Sequence, residues 1–166
     1  MADESKVVSF SERRAAKLVE SGLDKVNVGD LDQATADFLA SIDCHPTAEA
    51  YTYYGWMLSK KGDFDGAIEQ CHKAIAVDPS FGNPYNDIGS YLTIQGRVDE
   101  AIPWFERAML ATRYEPRHFP HMNLGRIYIT KNLLKAAREQ FRKALAYAPD
   151  NRQLRLVIQQ LDEQLN

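Results

Sequence analysis

The residues that could do chemistry are few. His118 and His121 stand three apart, so on a helix they share a face and two imidazoles could ligate a metal. Glu115 is the sole third donor nearby, whereas structural zinc normally takes four ligands, so neither a metal nor another cofactor is expected. Cys44 and Cys71 are far apart and outside any CxxC spacing, which fits a reducing compartment. Asp30 and Asp32, Asp63 and Asp65, and Asp99 and Glu100 fall where helical patterns begin, so they read as caps favoured by the helix dipole. With no nucleophile elbow or phosphate loop, the chain is not read as an enzyme. Binding chemistry is better represented. The amides of Asn86 and Asn123 can both donate to and accept from a peptide backbone. Trp56 is either a binding anchor or a packing residue against a neighbouring helix.

The elements that must position these residues repeat. Gly55, Gly89 and Gly125 open three copies, and Gly62, Gly96 and Asn132 mark a turn in each. Ala67, Ala101 and Ala137 follow, then Cys71, Phe105 and Phe141, then Ala74, Ala108 and Ala144, with Pro79 and Pro149 closing two copies. The interval from Gly55 to Gly89 is 34 residues. A degraded upstream copy carries Gly22, Gly29, Ala34, Phe38, Ser41 and Pro46, with Lys25 in the slot of Leu58, Leu92 and Tyr128. The small residues let paired helices approach and the large ones fill between them, so these positions are scaffold.

This pattern resembles the tetratricopeptide repeat (TPR) family, whose unit is a helix-turn-helix of that period. The resemblance implies an all-α fold: a right-handed α-α superhelix of about four units, near residues 15–47, 48–81, 82–115 and 118–151. An N-terminal tail (1–10) precedes the array (11–151), and a capping helix (152–166) follows it. In that tail, Ser9 and Glu12 fit a capping box. Val7 to Phe10 is either a frayed end with Phe10 as a staple or a segment that docks in a groove. One continuous core is expected. After Asn151, Leu154, Val157, Ile158, Leu161 and Leu165 form an apolar stripe, as suits a helix that caps the last unit.

In the family the first helices line a concave groove that holds a peptide or a partner helix. The resemblance therefore implies a non-catalytic adaptor or scaffold for a protein or peptide partner. The residues placed in that groove are Thr52, Trp56, Asn83, Asn86, Ser90, Phe119, Met122, Asn123 and Arg126. The clamp by which one subclass holds the carboxylate tails of heat-shock chaperones is missing, since Val19, Leu23 and Tyr53 occupy its slots. Tyr114 to His121 looks like a stretch of the small TPR chaperones of type III secretion translocators, which is the alternative function. That stretch also breaks the repeat: Arg113 stands in place of the closing proline and Pro116-Arg117 are inserted. Such departures are where function or strain is expected.

At 166 residues with 26% charged residues and a net charge of −3, the composition is that of a globular domain. The start is acidic and no apolar run approaches a membrane span, so a cytoplasmic protein without membrane contact is expected. From Arg113 to Arg155 basic residues outnumber acids, whereas acids dominate before Arg113. A basic patch of Lys135, Arg138 and Arg142 would steer an acidic partner or favour head-to-tail self-association. Nucleic acid is a poor fit, because the whole chain is acidic and carries no recognised nucleic-acid motif.

Overall fold

The computed structural model describes residues 9–165, and among these are nine α-helices with no named strand. In chain order they are α1 (Phe10–Asn27), α2 (Leu31–Cys44), α3 (Ala48–Lys60), α4 (Phe64–Val77), α5 (Asn83–Ile94), α6 (Val98–Leu110), α7 (His118–Thr130), α8 (Leu134–Tyr147) and α9 (Arg152–Leu165). Where one continuous core was expected, the chain gathers into two compact units, Met1–Asp78 and Pro79–Asn166.

Local chemistry starts and stops the helices as expected. Ser9 and Glu12 form the reciprocal capping box of α1. Phe10 is the first residue of that helix and is 79% exposed, so it staples nothing. Val7 and Val8, the rest of the docking segment considered above, lie outside the described residues. Asp30 and Asp63 cap α2 and α4 by accepting from the backbone N–H groups of Gln33 and Gly66. Each hairpin turns through a left-handed residue: Gly29, Gly62, Gly96 and, with φ of 57°, Asn132.

Within each hairpin the repeat glycine lies against a large side chain of the second helix. A Cβ on Gly89 would lie 2.7 Å from the Phe105 ring, and one on Gly125 would lie 2.7 Å from the Phe141 ring. Gly22 meets Phe38 in the same manner. In the α3–α4 hairpin the ring slot holds the smaller, fully buried Cys71, and Gly55 instead approaches the Ala67 carbonyl and Gln70. Each buried phenylalanine contributes roughly 1.5–3 kcal/mol of apolar burial. In the Pro79–Asn166 unit, Phe141 joins Met122, Leu154, Ile158 and Leu161 in a core that α9 closes.

The irregular slot of Lys25 is answered by a compensating acid. The Lys25 Nζ donates to Asp37 Oδ2 at 2.5 Å, and the Ser21 hydroxyl donates to the same oxygen at 2.6 Å. Burial works against the Asp37 charge, but the hydrogen bonds from Lys25, Ser21 and Gln33 outweigh it and leave the carboxyl below its ordinary value.

The break in the repeat after α6 is also accounted for structurally. Phe81 and Arg113 form a short parallel bridge: Gly82 N–H donates to the Arg113 carbonyl at 3.1 Å, and Arg113 N–H donates to that of Ser80 at 2.9 Å. The Arg113 guanidinium lies 4.5 Å from the Phe81 ring centroid. Tyr114 packs on Gly82 and is buried with Ala108 and Ala111. Arg117 donates at 3.1 Å to the carbonyls of both Met109 and Ala111, satisfying acceptors that the end of α6 leaves open. Of the function or strain expected at this departure, the backbone shows no left-handed residue, and Arg113, Tyr114 and Arg117 make contacts within the unit.

Candidate protein-binding face

In the Pro79–Asn166 unit, α5 and α7 are the first helices of consecutive hairpins and touch one another. Asn86 precedes its repeat glycine by three residues and Asn123 by two, so they occupy different slots. Adjacency of the helices nevertheless brings them together: Asn123 Nδ2 donates to Asn86 Oδ1 at 3.2 Å. Arg126 Nη1 then donates to Asn123 Oδ1 at 3.2 Å. The result is a polarised row running from a guanidinium through two amides. Burial pushes the Asp87 carboxyl up to about 7, against the opposing pull of the Asn86 hydrogen bond. Burial, with the Asp87 charge adding to it, raises the Tyr114 phenol.

The remaining groove residues of this unit divide between surface and core. Asn83 lies half-buried at the start of α5, and the Ser90 hydroxyl donates to the Asn86 carbonyl at 2.9 Å. Phe119 is 46% exposed, with its ring 4.2 Å from that of His118. Met122 does not face solvent; it is 8% exposed and belongs to the core with Phe141 and Leu154. His121 is buried too, its Nδ1 2.8 Å from Gln140 Oε1 and its ring stacked on Tyr147. The histidine pair is therefore split between an exposed aromatic contact and a packed one.

In the Met1–Asp78 unit, Thr52 is buried and its hydroxyl donates to the Ala48 carbonyl of its own helix at 2.7 Å, which ties up that donor. Trp56 is half-buried, packs on the cluster of Phe38 and Met57, and carries the Lys60 ammonium 5.4 Å above its ring. The packing reading of Trp56 is thus met by its contacts within this unit. A surface cleft near Val19 in this unit is lined by Glu12 and Glu49, whose charge disfavours a carboxylate tail.

The basic patch is not a set of free cations. Arg138 and Arg142 both donate to Asp162 of α9, at 2.8 and 3.1 Å, and so tie the capping helix to α8. Lys135 is exposed beside Leu133, Leu134 and Leu165.

Beside the amide row lies a cleft of ≈130 Å³ that the repeat pattern did not reveal. Its apolar wall comes from Met122, Ile129, Phe141, Leu154 and Val157, with Arg126 and Gln153 at polar positions. The available signal was the partial exposure implied by Arg126 and Ile129 on the face of α7 that looks toward the cap.

Residues 81–150 match one tetratricopeptide repeat pattern and residues 48–81 match a second. The type IV pilus assembly protein PilF of Pseudomonas aeruginosa is 26% identical over 76% of this chain and 51% of its own length. The small glutamine-rich tetratricopeptide repeat-containing protein 2 of Mycosarcoma maydis is 26% identical over 58% of this chain and 28% of its own. The chain thus spans about half or less of the length of these relatives. Among solved structures, that of Pseudomonas aeruginosa PilF superposes with a TM-score of 0.86 at 22% identity, covering 94% of this chain and 71% of that one. The second TPR of Spaghetti (RPAP3) bound to an HSP90 peptide gives 0.56 at 21% identity, covering 60% and 93%. At these identities the structures establish the fold: all-α, built of helical hairpins. The chain belongs to the tetratricopeptide repeat family.

Proposed function

We propose that this chain is a non-catalytic adaptor that holds an extended or helical segment of a protein partner on the α5–α7 face. Protein interaction is the general role of the TPR fold. The observation that carries the finer reading is the hydrogen-bonded row of Asn86, Asn123 and Arg126, flanked by Asn83, Ser90 and Phe119. Amides so arranged can exchange hydrogen bonds with a partner backbone, while Phe119 supplies exposed aromatic area. Trp56, on the other unit, is half-buried and is a separate candidate anchor. Two cysteines far apart in the sequence, outside any CxxC spacing, support a reducing, cytoplasmic setting. Among the described residues no helix is long and apolar enough to cross a membrane. The alternative, a small TPR chaperone of the secretion-translocator kind, rests on the stretch Tyr114 to His121, of which Tyr114, Arg117 and His121 make contacts within the unit.

Affinity capture from the native cell followed by mass spectrometry would identify the partner, after which its dissociation constant is measured for the wild type and for Asn86→Ala with Asn123→Ala. Loss of two backbone hydrogen bonds should weaken binding by about tenfold or more. Full-strength binding by the double variant would reject this face.

A further inference from the structure

The cleft between α7, α8 and α9 combines an apolar floor with one exposed cation. Met122, Phe141 and Leu154 are buried at its base, and Val157 and Ile129 form the rim. Its ≈130 Å³ is close to the roughly 150 Å³ of an engineered dry cavity that admits benzene, and so suits one branched aliphatic side chain. Arg126 lines the cleft and spends one N–H on Asn123; it forms no ion pair among the described residues. That tether holds the guanidinium at the junction of amide row and cleft, leaving its other donors for a ligand. The surrounding unit is cationic: after Asp78 there are twelve Lys and Arg residues against nine Asp and Glu, although the whole chain is acidic.

We propose that this cleft receives a branched aliphatic side chain from an acidic peptide segment, whose carboxylate pairs with Arg126. The inference rests on the α5–α7 face being protein-binding and specifies the chemistry of what binds there. A cationic rim beside an apolar hole selects a leucine-like residue next to a carboxylate and disfavours basic segments. Asn86 and Asn123 then hold the adjoining backbone.

N-acetyl-leucine carries both groups and serves as the probe, with N-acetyl-leucinamide and N-acetylglycine as controls. Binding is followed by the methyl NMR signals of Met122, Ile129 and Val157 in the full chain. N-acetyl-leucine should shift these signals saturably in the millimolar range, as befits so small a ligand. The amide should bind about threefold more weakly, as loss of an exposed ion pair predicts, and N-acetylglycine should leave the methyls unmoved. Arg126→Gln should bring the acid down to the affinity of the amide. Ile129→Trp, at a partly exposed rim position, should abolish the Met122 and Val157 shifts without unfolding the protein. Absence of saturable shifts at these methyls would overturn the cleft, and equal binding of acid and amide would overturn the acidic partner. Asn86→Ala with Asn123→Ala should leave the saturable methyl shifts with N-acetyl-leucinamide intact, because the apolar walls do not involve either amide, while loss of the Asn123 tether narrows the difference between acid and amide. If the probe fails while that variant still loses its partner, the face stands and the cleft proposal falls; the reverse result rejects the face alone.

Discussion

Asn123 on α7 donates from Nδ2 to Asn86 Oδ1 on α5 across 3.2 Å, so two residues that are not equivalent in the repeat act as one unit. Asn123→Ala leaves a part-buried acceptor without its donor, and should cost about 0.5–1.5 kcal/mol. Removing both amides should cost less than the sum of the two single changes, because neither partner is then stranded. Urea unfolding of the two single variants and the double variant measures this. Strict additivity would mean the contact has no energetic weight.

The two half-buried or buried aspartates should respond to pH with opposite signs. Asp87 has its folded pKa raised to about 7, so its contribution to stability is fully present below the ordinary carboxyl value and is lost as pH rises through about 7. Asp87→Asn should therefore raise Tm at pH 8 and make little difference at pH 4. Asp37 is depressed, so its contribution is present above the ordinary value and is lost as pH falls through the lowered one. Asp37→Asn should cost stability at pH 7, about 1–3 kcal/mol for the hydrogen bonds to its charge. Thermal melts across this pH range distinguish the two. A Tm difference for Asp87→Asn that does not change with pH would contradict the assigned burial effect.

Gly125→Ala would place a methyl group 2.7 Å from the Phe141 ring and should cost about 1–3 kcal/mol through overpacking. Ala101→Leu, at a fully buried position of α6, should cost a similar amount. Gly62→Ala meets no atom within 4 Å, but φ of +83° strains any side chain there. The loss from Gly125→Ala should be relieved in part by trimming the opposing ring with Phe141→Leu, whereas no neighbouring change should rescue Gly62→Ala. Denaturant titration of each pair checks this.

Arg138 and Arg142 converge on Asp162, so Arg138→Glu with Arg142→Glu should loosen α9 as well as alter surface charge. Both pairs are partly exposed, and the expected loss, discounted for solvent screening, is about 1 kcal/mol. Amide exchange at Leu161 should speed up, and Asp162→Arg in the same background should restore protection. Lys135→Glu changes charge without touching this tie, and is the cleaner probe of steering through the salt dependence of association. Unchanged exchange at Leu161 in the double variant would show that apolar packing alone holds the cap.

The fold was legible because its causes are local and periodic. Gly62, Gly96 and Asn132 must reverse the chain, and Ser9 and Glu12 cap each other within one turn. Gly89 and Gly125 answer Phe105 and Phe141 at a constant offset. Repeated spacing projects such pairs onto the same faces whatever the rest of the chain does. These marked the hairpins and the scaffold role of their small residues; the all-α array followed from the family resemblance that they carry, and the capping helix from the apolar stripe Leu154, Val157, Ile158, Leu161 and Leu165.

The candidate site depended on contacts between residues distant in sequence. That Asn123 reaches Asn86, that Arg138 and Arg142 spend their charge on Asp162, and that Arg117 closes the end of α6 are pairings across 37, 24, 20 and 6 to 8 positions. No periodicity encodes them, because a side chain's partner is set by which helices pack and how deeply. The same packing buried Thr52 and Met122, which helical spacing alone placed on an open face, and opened the cleft beside Arg126.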